Sequence, residues 1–160
     1  MATEDRIPGV SEYGSVDPAP PSENKSIPDL REILLDEDSK MFLRMRSLFR
    51  LRNERSPESI RALCDAFSST SALLRHELAY VLGQMQDPLS VPTLIEVLSD
   101  SNEHVMVRHE AAEALGAIGD RRAIPVLERF LTDELTEVSE SCEVALDLIS
   151  LCDSTSDVKW

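Results

Sequence analysis

Apolar residues recur every three or four positions along most of the chain, the spacing that places them on one face of an α-helix. In the stretch 71–85, Ser71 is placed to cap such a helix. Asp87 and Pro88 then mark the start of a second helix, since aspartate caps helices and proline is tolerated in the first turn. The apolar positions of the two helices are Leu74, Leu78, Val81, Leu82, Val91, Leu94, Ile95 and Leu98. The pattern predicts a pair of antiparallel helices.

This helix pair occurs again further along the chain. Residues 75–100 align without gaps on residues 108–133, an offset of 33, and identities occur at turn and polar positions as well as at apolar ones. The predicted apolar positions of the second copy are Val107, Ala111, Ala114, Leu115, Ile124, Leu127 and Leu131. Weaker copies lie at residues 42–67 and 138–151. The sequence therefore predicts an all-α fold, an α-solenoid of about four repeats in which each unit contacts mainly its neighbours.

The two ends of the chain lack this period. Residues 1–27 combine Pro, Ser, Gly and acidic residues, and we predict a disordered tail there. The stretch IPDLREILLDE at residues 27–37 predicts a short helix. We expect the repeat domain to span residues 28–153 and a C-terminal tail to span residues 154–160.

Composition narrows the classes of partner. The formal net charge of −14 disfavours nucleic acid as a partner, because the chain would repel the phosphate backbone. No apolar run approaches the roughly 20 residues that a membrane span requires, so no membrane association is expected. The cysteines, Cys64, Cys142 and Cys152, are odd in number and lack CxxC spacing, which is typical of a reduced protein. We predict a cytoplasmic location.

Two copies of the dipeptide His-Glu occupy the same repeat position, at residues 75–77 and 108–110 within the tripeptide RHE. The weaker copy at residues 42–67 carries Met45 and Arg46 there instead, so the repeat fold does not require HE. Imidazole and carboxylate ligands suit iron, manganese or zinc, and two histidines with one carboxylate form the set that non-haem iron uses. Neighbours on a helix point about 100° apart, so the two members of a pair cannot serve one ion in the same way. The candidate metal ligands are His76, Glu77, His109 and Glu110.

The residues alone leave alternatives open. The HE pairs are either metal ligands or partly exposed side chains copied with the repeat. Glu113 and Glu143 either add contacts to the site or are ordinary surface acids. Arg75 and Arg108 either orient the carboxylates or form a structural ladder of ion pairs. His104 has no counterpart in the other copy and is left outside the candidate site.

The two HE blocks carry a family resemblance. SALLRHELAYVLGQMQD followed by VMVRHEAAEALGAIGD resembles the N-terminal half of deoxyhypusine hydroxylase, a family of HEAT-repeat, non-haem di-iron monooxygenases. The flanking stretches FRLRNERSPESIRALCDAF and EVSESCEVALDLI fit the same half, so the resemblance covers roughly residues 40–150. The turn pattern alone is less specific, because other HEAT-like repeat proteins share it, including phycobilin lyases. A bilin lyase or isomerase is therefore a third, weaker hypothesis.

The resemblance implies a fold of HEAT-like helix pairs and an oxygen-dependent enzyme that hydroxylates the deoxyhypusine side chain of a translation factor to hypusine. It implies two Fe(2+) per complete site, dioxygen as co-substrate, and no catalytic side chain beyond the metal ligands. We expect His76, His109 and Glu110 to serve one iron, and Glu77 to reach toward the other. An acidic surface suits this long, cationic side chain, and the chain from Ala62 onward carries 18 acidic residues against 6 basic ones.

The chain departs from the family in length. Family members carry four HE motifs, two in each half, whereas this sequence ends at Trp160 with two. We expect a partial enzyme chain, such as a short isoform or an engineered half, or else a homodimer or a pairing with a second half that rebuilds the four-motif site. The competing hypothesis is a non-catalytic HEAT-repeat scaffold that binds a protein on its concave face.

Overall fold

The computed structural model describes residues 11–155 and has eight α-helices in that range. They are α1 (Ile27–Leu35), α2 (Met41–Glu54), α3 (Pro57–Asp65), α4 (Ala72–Met85), α5 (Val91–Ser99), α6 (Val105–Ile118), α7 (Ile124–Arg129) and α8 (Thr136–Ser154). Short 3-10 turns lie at Ala66–Ser68, Pro88–Ser90, Arg121–Ala123 and Phe130–Thr132. The pairs α2/α3, α4/α5 and α6/α7 and the single helix α8 are the predicted repeats, so the all-α repeat fold is confirmed.

Side-chain caps mark the start of α4 and of the 3-10 turn that precedes α5. Ser71 Oγ accepts a hydrogen bond from the backbone N–H of Leu74 at 3.2 Å, and α4 starts and ends where the sequence predicts. Asp87 accepts from the backbone N–H of Leu89 at 2.9 Å and caps the 3-10 turn that leads into α5. Each cap satisfies an N–H group that the first turn leaves without a partner inside the helix.

The first helices of successive units, α2, α4, α6 and α8, pack side by side in one layer, and α3, α5 and α7 pack against it. Small residues bring the backbones of this layer close together. A Cβ atom added to Gly83 would lie 3.0 Å from the Cα of Ala114, and one added to Gly116 would lie 2.8 Å from the Cα of Ala145. These contacts fix the register of α4 on α6 and of α6 on α8.

A row of arginines occupies the fourth residue of three first helices: Arg44, Arg75 and Arg108. Arg44 and Arg108 are 2% and 3% exposed, and each donates to the backbone carbonyl ten residues earlier at 2.9 Å. Arg75 donates to both carboxylate oxygens of Glu103, at 2.7 and 2.6 Å. Because these partners belong to the connections and to the ends of other helices, the arginines form a structural ladder and do not contact the HE carboxylates.

The segment 11–26 contains no α-helix, yet it packs against the solenoid. Asp17 forms two hydrogen bonds with the buried guanidinium of Arg52, at 3.0 and 2.8 Å. Ser15 Oγ accepts from Nε2 of Gln84 at 3.0 Å. This part of the predicted tail is therefore a packed, irregular segment, because α2 and α4 supply partners for its polar side chains.

Other predictions for the chain ends fall partly outside the described part. Residues 1–10 and 156–160 lie outside it, and the tails predicted there stay predictions. Within it, α8 extends to Ser154, one residue beyond the predicted boundary of the repeat domain. The short helix predicted at residues 27–37 is present as α1. None of the described helices has the length and apolar character needed to cross a membrane.

The second copy of the helix pair ends earlier than predicted. Leu131 was expected on the apolar face of its second helix, but it is 40% exposed. Helix α7 stops at Arg129, and the chain continues as a 3-10 turn in which the ring of Phe130 lies 5.2 Å from the guanidinium carbons of Arg108 and Arg129. Phe130 therefore occupies the space next to the buried Arg108, and Leu131 turns toward solvent.

Candidate metal centre

The two HE pairs lie at the same level of adjacent helices. His76 and Glu77 are the fifth and sixth residues of α4, and His109 and Glu110 are the fifth and sixth residues of α6. Because α4 and α6 pack side by side, equivalent residues of the two repeats become neighbours across the helix interface.

Three of the four predicted ligands converge on one point. Nε2 of His76 lies 3.2 Å from Oε2 of Glu110, and Nε2 of His109 lies 3.9 Å from the same oxygen. Glu110 is 8% exposed, while the two histidines are partly exposed. Two imidazoles on different helices thus present the same ring nitrogen to one carboxylate oxygen.

Glu77 lies apart from this cluster. Its Oε1 comes within 3.9 Å of Nδ1 of His76, the ring nitrogen on the side away from Nε2. Burial raises the pKa of Glu77; the nearby carboxylate of Asp17 acts in the same direction, and Arg52 opposes it. Glu77 therefore lies beside the N-terminal segment and points in a direction different from that of its helix neighbour His76, as helix geometry requires.

The surroundings of Glu110 disfavour its negative charge. Burial, followed by the carboxylates of Glu113 and Glu77, raises the pKa of Glu110 to about 7. Burial also lowers the pKa of His76, and the nearby imidazole of His109 lowers it further. A cation at this point would favour the ionised form of Glu110, and a neutral imidazole is the form that binds metal.

Glu113 and Ser141 complete the surroundings of His109. Nδ1 of His109 lies 3.5 Å from Oε1 of Glu113 and 2.6 Å from Oγ of Ser141. His109, Glu110 and Glu113 each offer one ligand atom, and these atoms lie within 4.8 Å of one another. Glu113, whose role the sequence left open, lies four residues after His109 and therefore on the same face of α6.

Ser141 is the residue that sequence reasoning missed. It lies on α8, and its contact with His109 depends on the register between α6 and α8, for which the sequence offers no direct signal. Glu143, which the sequence considered for the site, is exposed on the same helix. His104 caps α6 by accepting from the backbone N–H of Met106 at 3.2 Å, so it has a structural task outside the cluster, as expected.

An open groove of about 790 Å³ lies beside the cluster. Its walls include the carboxylates of Glu110 and Glu113 and the apolar or aromatic side chains of Tyr13, Tyr80, Val144 and Leu148. The groove thus combines negative charge with apolar surface. That combination suits a ligand with a hydrocarbon chain and a cationic group.

The donor set fits a divalent metal ion of the iron, manganese or zinc type. Two imidazole nitrogens and a carboxylate oxygen face one another, and in the described part of the chain the charged neighbours that raise the pKa of Glu110 are both carboxylates. A bound cation would offset the repulsion between these carboxylates.

The chain is similar in sequence to a known family and to individual known proteins. A family model for HEAT repeats matches residues 60–147. A deoxyhypusine hydroxylase of Gallus gallus is 52% identical over 141 residues, which are 88% of this chain and 47% of that protein. The deoxyhypusine hydroxylase of Saccharomyces cerevisiae is 50% identical over 139 residues, 85% of this chain and 43% of that protein.

A solved structure has the same fold. Human deoxyhypusine hydroxylase in complex with glycerol superimposes with a TM-score of 0.86 at 46% sequence identity, over 90% of this chain and 50% of that one. The chain thus spans about half the length of the relatives it matches.

Proposed function

Since the chain belongs to the HEAT-repeat family and is a homologue of deoxyhypusine hydroxylases, we propose that it contributes half of an iron centre that hydroxylates deoxyhypusine to hypusine. The substrate is a deoxyhypusine-bearing translation factor, and the predicted cytoplasmic location belongs to the same proposal. The single observation that carries it is the convergence of His76 and His109 on one oxygen of Glu110.

In this proposal His76, His109 and Glu110 hold one Fe(2+), and bound iron would supply the activation of dioxygen. Their placement on two packed helices keeps the ligand atoms together before metal binds. Glu77, which points elsewhere, is the ligand proposed for a second iron. The groove beside the cluster binds the long cationic side chain, because its carboxylates attract the amine and its apolar walls cover the methylene groups.

A complete centre needs ligands beyond those of one chain. We propose that they come from a second copy or from a second half, because the relatives are about twice as long as this chain. Two copies related by a two-fold axis would present the same HE pairs to one another.

Anaerobic titration with Fe(2+), followed by native mass and metal analysis, tests the proposal. We expect iron to bind to the wild-type chain in an assembly of two copies, and His76→Ala and His109→Ala to lose it. His104→Ala is the matched control, since it removes an imidazole that caps α6 outside the cluster. Wild-type iron content in both His76→Ala and His109→Ala would contradict the proposal.

A second candidate, a non-catalytic scaffold, is favoured by a different observation. Phe42, Leu73 and Met106 are each the second residue of a first helix, and they are 55%, 59% and 41% exposed. An exposed apolar row of this kind is typical of a protein-binding surface. A scaffold would bind its partner equally well with and without a chelator, and a complex that the chelator dissociates would exclude it.

A further inference from the structure

We infer that Ser141 is a positioning residue that fixes which ring nitrogen of His109 carries the proton. The inference deepens the proposed function, because a histidine binds metal only through an unprotonated nitrogen. It is nevertheless a statement about the metal-free chain and is tested there first.

The hydroxyl of Ser141 has a single proton to donate. Its Oγ lies 2.6 Å from the backbone carbonyl oxygen of Glu137, one turn earlier on α8. A carbonyl oxygen can only accept, so the hydroxyl proton is committed to this bond. Ser141 is buried, and competition from water for the proton is small.

The same oxygen lies 2.6 Å from Nδ1 of His109. Because its proton is already used, Ser141 can only accept at this contact, and Nδ1 must be the donor. The carboxylate of Glu113, with Oε1 3.5 Å from Nδ1, adds negative charge on this side of the ring, which favours a proton on Nδ1. Both neighbours therefore favour the tautomer with the proton on Nδ1.

The other ring nitrogen is then left with its lone pair. Nε2 of His109 faces Oε2 of Glu110 at 3.9 Å, inside the cluster to which His76 also contributes. Ser141 thus keeps the lone pair of His109 directed at the point where a metal ion would be held. This is the role that a hydrogen bond to the outer nitrogen of a metal-binding histidine plays in general.

The register of the repeats explains why a serine has this task. Ser141 is the sixth residue of α8, the position that Glu110 occupies in α6. His76 meets the carboxylate of Glu110 in the next helix, and His109 meets the hydroxyl of Ser141 in the helix after that. A hydroxyl orients His109 without adding another negative charge beside Glu110.

The decisive measurement is nitrogen NMR of the full chain labelled with ¹⁵N-histidine, recorded without metal at about pH 8.5, where an ordinary imidazole is neutral. The signal of His109 is assigned by its loss in His109→Gln. We expect the wild-type ring to have a protonated Nδ1 and an unprotonated Nε2. In Ser141→Ala we expect a mixture of the two tautomers, because the hydrogen-bond acceptor at Nδ1 is gone and only the more distant carboxylate of Glu113 remains.

Two further variants separate this role from a general effect on α8. Ser141→Thr retains a hydroxyl at the same position and is expected to keep the wild-type tautomer. Ser139→Ala removes a hydroxyl that bonds to Thr136 within the same helix, and it should leave the His109 signal unchanged. A wild-type His109 with its proton on Nε2, or an unchanged tautomer in Ser141→Ala, would overturn the inference.

Titration of the same proteins with Co(2+) connects the tautomer to binding. We expect Ser141→Ala to bind Co(2+) about tenfold more weakly than the wild type and than Ser139→Ala. Equal affinity of Ser141→Ala and the wild type would overturn the positioning role. If the wild type binds neither Co(2+) nor Fe(2+), the proposed function fails, whereas the NMR result on Ser141 stands on its own.

Discussion

The inner first helices α4 and α6 differ from the flanking helices α2 and α8 at the same two positions. In α4 and α6 the fifth and sixth residues are the HE pairs. In α2 they are Met45 and Arg46, and Arg46 donates to the carbonyl oxygens of Pro20 and Pro21 at 3.2 Å. In α8 the sixth residue is Ser141, whose Oγ lies 2.6 Å from Nδ1 of His109.

The residues that build the repeat scaffold are different from those proposed to bind metal. All four helices bury apolar residues on the face that meets the second layer, whatever stands at these two positions. The sixth residue of these helices is therefore Arg46 in α2, which bonds to the N-terminal segment, a proposed metal ligand in α4 and α6, and Ser141 in α8, which contacts the proposed ligand His109. The proposed ligands thus add to a structure that other residues hold together.

The largest expected effect comes from the arginine ladder. Arg108→Met removes the buried donor to the carbonyl of Leu98 and to Asp133, and should lower the free energy of unfolding by about 3–5 kcal/mol. His109→Ala, the neighbouring residue, should change it by less than about 1 kcal/mol in the absence of metal, because Ser141 keeps its bond to Glu137.

Urea denaturation with a chelator present measures both variants. If His109→Ala lost as much free energy of unfolding as Arg108→Met, the HE residues would be part of the scaffold. The proposed separation of scaffold residues from metal-binding residues would then be wrong.

Glu110→Gln comes next, with an effect that depends on pH. In the folded chain the pKa of Glu110 is raised from its usual value of 4.5 to about 7. Between these two pH values, Glu110 therefore takes up a proton when the chain folds. The contribution of this group to stability is therefore full below about pH 4.5 and is lost as the pH rises to about 7. At about pH 8 the variant should be more stable than the wild type by about 2 kcal/mol, and near pH 4 the two should be equal.

Unfolding curves of both proteins between these pH values, without metal, check the prediction. Saturating Fe(2+) should reverse the order at pH 8, because a bound cation stabilises the wild-type carboxylate. Parallel pH profiles of the two proteins would contradict the electrostatic description of the site.

The smallest effect concerns the two helix contacts that set the register. Gly116→Ala should lower stability by about 1–2 kcal/mol, since its Cβ would meet the backbone of Ala145 at 2.8 Å. Gly83→Ala, with 3.0 Å to Ala114, should change stability by less than about 0.5 kcal/mol, because the helix propensity of alanine offsets the closer contact. Thermal unfolding of the two variants distinguishes the contacts; equal losses would mean that α4–α6 and α6–α8 are packed alike.

Much of the fold could be predicted from the sequence, because its signals are local. Ser71 and the apolar spacing that follows it predicted a helix ending at about Met85, which agrees with α4, and the repeat offset of 33 placed the HE pairs at equivalent positions. The convergence of His76 and His109 follows from that equivalence once the helices are stacked side by side.

The remaining features depend on contacts between distant residues. Leu131 matched its counterpart in the repeat, yet the ring of Phe130 next to Arg108 displaces it toward solvent. Ser141 has no sequence motif, because its role appears only when α8 is placed against α6. The composition of the segment that contains Asp17 predicted disorder. It could not show that Arg52, 35 residues further along the chain, is buried next to Asp17 and binds it.

The segment 11–26 also affects how the solenoid unfolds. In a repeat array each unit contacts its neighbours, so units at an end are free to unfold one at a time. Here Asp17 is joined to α2 across 35 residues, and Ser15 to α4 across 69 residues. Opening either of these two units breaks one of the contacts that hold the segment. The segment therefore couples the unfolding of the first two units, and hydrogen exchange in α2 and α4 should occur through a common opening event.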